Sequence, residues 1–188
     1  MNPLLKTFVN SPVWAWLLER WFLPPLFAAL PASPRRILEI GCGRGDTTRM
    51  LLKLFPDAAV VATDYDPGQV ALAAKRVASG RLEIRRADAT ALPFPDAAFD
   101  LVIECNTFHH VAAWADALAE CSRVLRPGGA FAAMDEDKAL FNPLFRAIDR
   151  PESLFSKDEF RRAAESAGLS LEKDVGTRRV IRFVFAKK

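Results

Sequence analysis

The sequence predicts an α/β fold: a doubly wound, mostly parallel sheet of seven strands with helices on both faces. Three features predict it. Short apolar runs alternate with helical segments from Arg36 onward. The first run, residues 37–40, stops at a glycine loop, Gly41-Cys42-Gly43-Arg44-Gly45. The last two runs lie too close in sequence for a crossover helix, so they must pair as an antiparallel hairpin.

Each element follows from local signals. Residues 37–40 form the first strand. Asp46 is placed to cap a helix over 47–54, which Pro56 ends. Residues 59–63 form the second strand, ending at Asp64. Asp66-Pro67 supplies an N-cap followed by proline at the first helical position, and that helix, 68–79, closes at Gly80. Residues 82–86 and 99–104 are the third and fourth strands. A helix over 114–125 ends at Arg126-Pro127-Gly128-Gly129, the turn into a fifth strand at 130–134. Ser156-Lys157-Asp158-Glu159 is a capping box, opening a helix that closes at Gly168. Strands at 170–174 and 179–186 share a short turn containing Gly176. Residues up to about 30 form one or two helices outside the sheet, packed over one edge or over the ligand site. The expected organisation is a helical leader or lid, residues 1–34, and a ligand-binding domain over 35–188.

Composition narrows the class of function. The 188 residues, 51% of them hydrophobic, suit one domain with a full core. The net charge is +3, and basic pairs such as Arg35-Arg36, Arg85-Arg86 and Arg178-Arg179 are scattered. No run tracks a phosphate backbone, so no nucleic-acid partner is expected. Cys42, Cys105 and Cys121 have no metal-ligand spacing and read as free thiols in a reducing compartment. The apolar run over 21–32 is too short to span a bilayer and contains three prolines. With no secretory pattern, a cytoplasmic location is expected.

In an open α/β sheet, ligands bind beyond the carboxyl ends of the strands. A dinucleotide loop would read G-x-G-x-x-G and offer bare amides to a pyrophosphate. Here the sixth position is Asp46, whose carboxylate disfavours a pyrophosphate. The spacing suits a nucleoside ligand without phosphates. Asp64, about 20 residues past the loop, stands where a ribose-binding acid belongs. Tyr65 follows, able to lie against a purine face. Asp88, in Ala87-Asp88-Ala89, is placed to accept from an adenine amino group. Residues 99–110 run from a buried strand into a polar loop.

The ordered set Glu39-x-Gly41-x-Gly43-x-Gly45, Asp64, Asp88, Leu92-Pro93-Phe94-Pro95-Asp96-x-x-Phe99-Asp100 and Leu125-Arg126-Pro127-Gly128-Gly129 closely resembles the class I S-adenosylmethionine-dependent methyltransferases. More narrowly, the chain is similar to the methyltransferase type 11 group, related to quinone-biosynthesis C-methyltransferases. The match covers about Arg35 to Gly129, and the closing hairpin fits the family's last strand. The resemblance implies a Rossmann-like methyltransferase fold with S-adenosyl-L-methionine as cofactor. It implies that Gly41, Gly43 and Gly45 border the methionine part and that Glu39 orients its amino group. Asp64 would hold the ribose. Asp88 would bond the adenine amino group, with the backbone of Ala89 on the ring. Glu104 and Cys105 would face the sulfonium. The expected strand order places the antiparallel last strand between the fourth and fifth.

Other roles stay open at the level of sequence. Asp64 and Asp88 also suit caps or surface acids; their register with the loop favours ligand binding. Cys105 also suits a small apolar filler. His109 and His110 are the only histidines. They serve either as a general base or as packing for the loop, and His110 is the candidate catalytic residue. Glu104, Asp135, Glu136 and Asp137 suit a cationic substrate, a magnesium ion with Asn106, or solvated loop charges; no metal is expected. Trp14, Trp16 and Trp21 suit a lid, a membrane-surface contact or a packing helix, and the few cations nearby (Lys6, Arg20) weaken the membrane reading. The functional expectation is a methyltransferase acting on a small, apolar or aromatic molecule. Its acceptor cavity would come from the leader and from residues 137–154, with Phe141, Leu144 and Phe145 as an apolar wall. The alternatives are a non-catalytic cofactor-binding or regulatory module on the same fold and aminopropyl transfer from a decarboxylated cofactor.

Overall fold

The computed structural model describes Thr7 and residues 10–140 and 153–188. In chain order the elements are α1 (Pro12–Leu17), a π-helical turn (Leu18–Phe22), α2 (Pro24–Phe27), β1 (Arg36–Ile40), α3 (Asp46–Leu54), β2 (Ala59–Asp64), α4 (Pro67–Arg76), β3 (Leu82–Arg86), β4 (Phe99–Cys105), α5 (Trp114–Val124), β5 (Leu125–Glu136), α6 (Lys157–Ser166), β6 (Leu169–Asp174) and β7 (Val180–Lys187). The expected apolar wall of Phe141, Leu144 and Phe145 lies outside the described residues.

Among the described residues the strands form one seven-stranded sheet in the order β3-β2-β1-β4-β5-β7-β6. β1 to β5 pair in parallel, and β7 runs antiparallel to both β5 and β6. The doubly wound expectation therefore holds, with one correction. The last strand lies between β5 and β6, not between the fourth and fifth. The α5 crossover sets β5 directly beside β4, with Leu101 opposite Ala130 and Cys105 opposite Met134. The hairpin can then add only at the open edge of β5, where Ala130 pairs with Ala186 and Glu136 with Val180.

Two local expectations also change. Asp46 does not cap α3. The cap position is Gly45, in a left-handed conformation (φ 88°), with no side-chain cap. Asp46 is instead the first helical residue, buried, with Arg44 at 2.8 Å, Arg76 at 3.3 Å and Arg49 at 3.4 Å. Three guanidinium groups claim its carboxylate. The fourth helix ends at Arg76 rather than near Gly80, because Val77 leaves it extended and packs against Gly45. The Asp66 cap, Pro67 and the Ser156–Glu159 capping box form as expected.

Helices cover both sheet faces. On one, Phe108, Phe131, Phe155, Phe160 and Phe185 pack with Val102, Leu118 and Val124. On the other, Leu23 and Leu26 of the leader pack with Ile37, Leu51, Ile103 and Met134. Burying each of these leucines contributes about 1.5–3 kcal/mol. The leader thus lies against a sheet face rather than over an edge. Arg182 Nε donates to Phe22 O at 2.9 Å, and Lys173 Nζ donates to Ala29 O at 2.9 Å. Trp14 packs on Phe22, while Trp16 and Trp21 are exposed. Among the described residues no helix is long and apolar enough to cross a membrane.

Candidate active site

Because β1 to β5 are parallel, the glycine loop, Asp64, Asp88, the residues after Cys105 and those after Glu136 all emerge at one edge of the sheet. The glycine loop is built on close approach. Gly41 (φ 71°) abuts Thr107, and a Cβ there would collide with the threonine side chain. Gly43 (φ 52°) faces the opposite situation: no atom lies within 4 Å of where its Cβ would sit. Its amide donates to Asp64 Oδ2 at 2.8 Å, and the Asp66 amide donates to Oδ1 at 2.9 Å. The expected ribose acid is therefore joined to the expected cofactor loop.

Tyr65 is exposed, and the Arg86 guanidinium lies over its ring at 5.2 Å. One ring face is thus claimed by a cation. Asp88 is exposed beyond β3, and its Oδ1 accepts from the Thr90 amide at 2.9 Å and the Thr90 hydroxyl at 2.7 Å. These bonds hold its carboxyl below the ordinary range, so it is a firm acceptor. Ala89 lies in the same tight turn, where Asp88 bridges to Ala91.

Glu39 is buried beneath the loop, and Thr48 Oγ1 donates to its Oε2 at 2.5 Å. Burial pushes its carboxyl up to about 7, against the Thr48 bond, with Asp64 and Asp46 adding repulsion. Its folded pKa lies above the unfolded value of 4.5, so its contribution to stability is full below that pH and is lost as the pH rises through 7. The stability of Glu39→Gln relative to the parent should therefore rise between pH 4.5 and 7.5, by up to about 3 kcal/mol. Denaturant titrations at several pH values measure this, and a flat difference would contradict it.

At the ends of β4 and β5 the site becomes acidic and dry. Glu104 and Cys105 are consecutive strand residues and point to opposite faces of the sheet. Glu104 is fully buried on the α5 and α6 face; its Oε2 accepts from the Thr107 amide at 3.2 Å, and among the described residues its Oε1 has no hydrogen-bond partner. Burial and the neighbouring Asp135 raise its carboxyl well above the ordinary value. Cys105 lies on the leader face near Arg182, and burial followed by nearby Glu104 raises its thiol, which makes it a poor nucleophile. Asn106 turns the chain out of β4 in a left-handed conformation (φ 55°).

Asp135 is fully buried at the end of β5 and accepts from four donors. Phe108 N lies at 2.9 Å and His109 N at 3.3 Å from Oδ2; Glu136 N lies at 2.7 Å and His109 Nδ1 at 2.6 Å from Oδ1. His110 is half-buried, its ring centroid 4.0 Å from that of His109. Burial, then the adjacent His109, pushes the His110 imidazole down to about 3, so it is neutral at pH 7. The sequence offered no sign that Asp135 holds His109: the two are 26 residues apart, and only strand register brings them together. Among the described residues no cluster of three or more metal-ligating side chains occurs.

The fold is a mostly parallel α/β sheet with a glycine loop and the acids Asp64 and Asp88 at one edge. The methyltransferase domain family model matches residues 38–133, just over half of the chain. The chain belongs to this family, within the type 11 group of class I S-adenosylmethionine-dependent methyltransferases. It is 41% identical over 118 residues to the demethylmenaquinone methyltransferase of Thermus thermophilus, covering 62% of this chain and 54% of that protein. It is 37% identical over 123 residues to the enzyme of the same name from Deinococcus radiodurans, covering 63% and 51%. The chain spans about half the length of the curated relatives it matches. A SAM-dependent methyltransferase from Aquifex aeolicus shares the fold, with a TM-score of 0.79, 21% identity and 98% of each chain covered.

Proposed function

We propose that the chain transfers a methyl group from S-adenosylmethionine to a small, apolar or aromatic acceptor. The observation that carries this reading is the join between Asp64 and the Gly43 amide at 2.8 Å, beside a glycine that faces open space. The residues present fit the cofactor. Asp64 takes the ribose hydroxyls, Asp88 the adenine amino group with the Ala89 backbone on the ring, and Glu39 the amino acid end. Gly41, Gly43 and Gly45 let the backbone approach, and Tyr65 borders the base. Residues 1–34 act as a helical leader beside a cofactor-binding domain over 35–188. The demethylmenaquinone acceptors named for two relatives support an apolar, aromatic acceptor.

When bound, S-adenosylmethionine supplies a methyl carbon made electrophilic by the adjacent sulfonium. The chain's own contribution is alignment and exclusion of water. Glu39, Asp64 and the loop fix one partner; the buried ends of β4 and β5 form a dry floor for the other. Calorimetric titration with S-adenosylhomocysteine should show one site per chain, and a label assay should show methyl transfer from the donor to 1,4-naphthohydroquinone. Absence of binding would overturn the reading; binding with no transfer to any acceptor in a metabolite extract would favour a non-catalytic module.

A further inference from the structure

The two sides of the leader repeat one spacing. Ala15, Leu18, Leu23 and Leu26 are buried and face the sheet. Val13, Trp16, Trp21 and Pro24 are exposed, the first three at 59%, 57% and 61%. Each outward residue precedes an inward one by two positions, about 200° around a helix, so the two rows lie on opposite sides. Both rows make a step of five between steps of three. That long step crosses the π-helical turn Leu18–Phe22, where Leu23 N donates to Leu18 O at 3.0 Å. In a regular α-helix, residues five apart diverge by about 140°. The wider turn brings Trp16 and Trp21 back towards one line. The irregularity that seats Leu18 and Leu23 in the core therefore also gathers the exposed apolar row.

Tertiary placement supplies the cations that the leader lacks in sequence. Glu19 and Arg20 are the only charged residues of 10–34. The Arg20 guanidinium lies over the Trp21 ring at 5.4 Å. Glu19 pairs with Arg49 of α3 at 3.5 Å, which sets that helix beside the leader. Arg49 and Lys53 are exposed and lie one turn apart on the same side of α3. An indole row edged by Arg20, Arg49 and Lys53, with Glu19 neutralised, complements a surface that is apolar within and anionic outside. Tryptophan, with an apolar ring and a polar N–H, suits that boundary. Arginine and lysine suit its acidic headgroups. A second copy of the chain fits less well, because a twofold contact would set these same cations against each other.

We propose that this face of the leader docks on the surface of an anionic lipid bilayer, with Trp16 and Trp21 at the headgroup boundary and Arg20, Arg49 and Lys53 over acidic headgroups. The contact lies in the plane of the surface, as for an amphipathic helix. Docking stands apart from the methyltransferase reading. On that reading, the bilayer is also where an apolar acceptor dissolves, so docking brings the chain to it.

The test mixes the full chain with vesicles of equimolar phosphatidylglycerol and phosphatidylcholine, and with vesicles of phosphatidylcholine alone. At low salt the parent should bind the anionic vesicles about tenfold more strongly than the neutral ones, and molar salt should remove most of that difference. Brominated acyl chains should quench its tryptophan emission. The double variant Trp16→Gln, Trp21→Gln should bind the anionic vesicles about tenfold less than the parent. Both side chains are exposed, and an unchanged circular dichroism spectrum shows that the variant folds. No binding to the anionic vesicles, no quenching in the parent, or equal binding by the double variant would each overturn the proposal. A parent that dimerises through the same two tryptophans would assign the face to a second copy and overturn it as well. No vesicle measurement uses the cofactor, so the outcome is separate from that of the S-adenosylhomocysteine titration.

Discussion

Replacing Asp64 with alanine is expected to weaken S-adenosylhomocysteine binding about 100-fold, close to 2.7 kcal/mol. Two effects add. The variant loses the carboxylate proposed to accept from ligand hydroxyls, worth about 1.5–3 kcal/mol for a charge-assisted bond. It also releases the amides of Gly43 and Asp66, which Asp64 now holds at 2.8 and 2.9 Å, so the loop loses part of its fixed shape. Asp64→Asn keeps one acceptor and should fall between the two. Calorimetry at constant pH measures the change, and unchanged affinity in Asp64→Ala would remove this residue from the site.

Gly41→Ala is expected to destabilise the fold by about 2–4 kcal/mol, whereas Gly43→Ala should cost only about 1 kcal/mol. Both positions have positive φ, so both incur the backbone penalty. Only Gly41 adds a collision, with a Thr107 side chain that is itself held by the Ile40 carbonyl at 3.3 Å. Thr107 leads into the turn carrying His109, so the substitution should disturb both halves of the site. Urea denaturation of the two variants separates the cases. Equal losses would show that the Gly41–Thr107 contact is not tight in solution.

Periodicity and punctuation made most of the fold legible. The alternation of apolar runs and helices, the Asp66-Pro67 start and the capping box at Ser156 and Glu159 each specify local geometry, and each forms. The order of the closing hairpin was not legible, because it depends on which edge of β5 stays open after α5 crosses. Asp46 misled for a related reason. A cap and a buried ion-pair centre use the same residue type, and the arginines that claim it include Arg76, 30 positions away. The placement of the residues proposed for the cofactor at one sheet edge was readable because they follow strands in a fixed order. The Asp135–His109 contact was not readable, because it exists only through the register of β4 with β5.

Asp46 has a further consequence. Arg44 reaches it from the glycine loop, Arg49 from α3 and Arg76 from α4, so one carboxylate ties the loop to two helices. Arg76 also donates to the Arg44 carbonyl at 3.3 Å. Ties of this kind should hold the loop in one shape before any ligand arrives. Little conformational entropy then remains to be lost on association. Affinity for an adenosyl ligand would then be set chiefly by contacts rather than by folding of the loop around it, and with Asp46 nearly sealed from water that rigidity should persist in high salt.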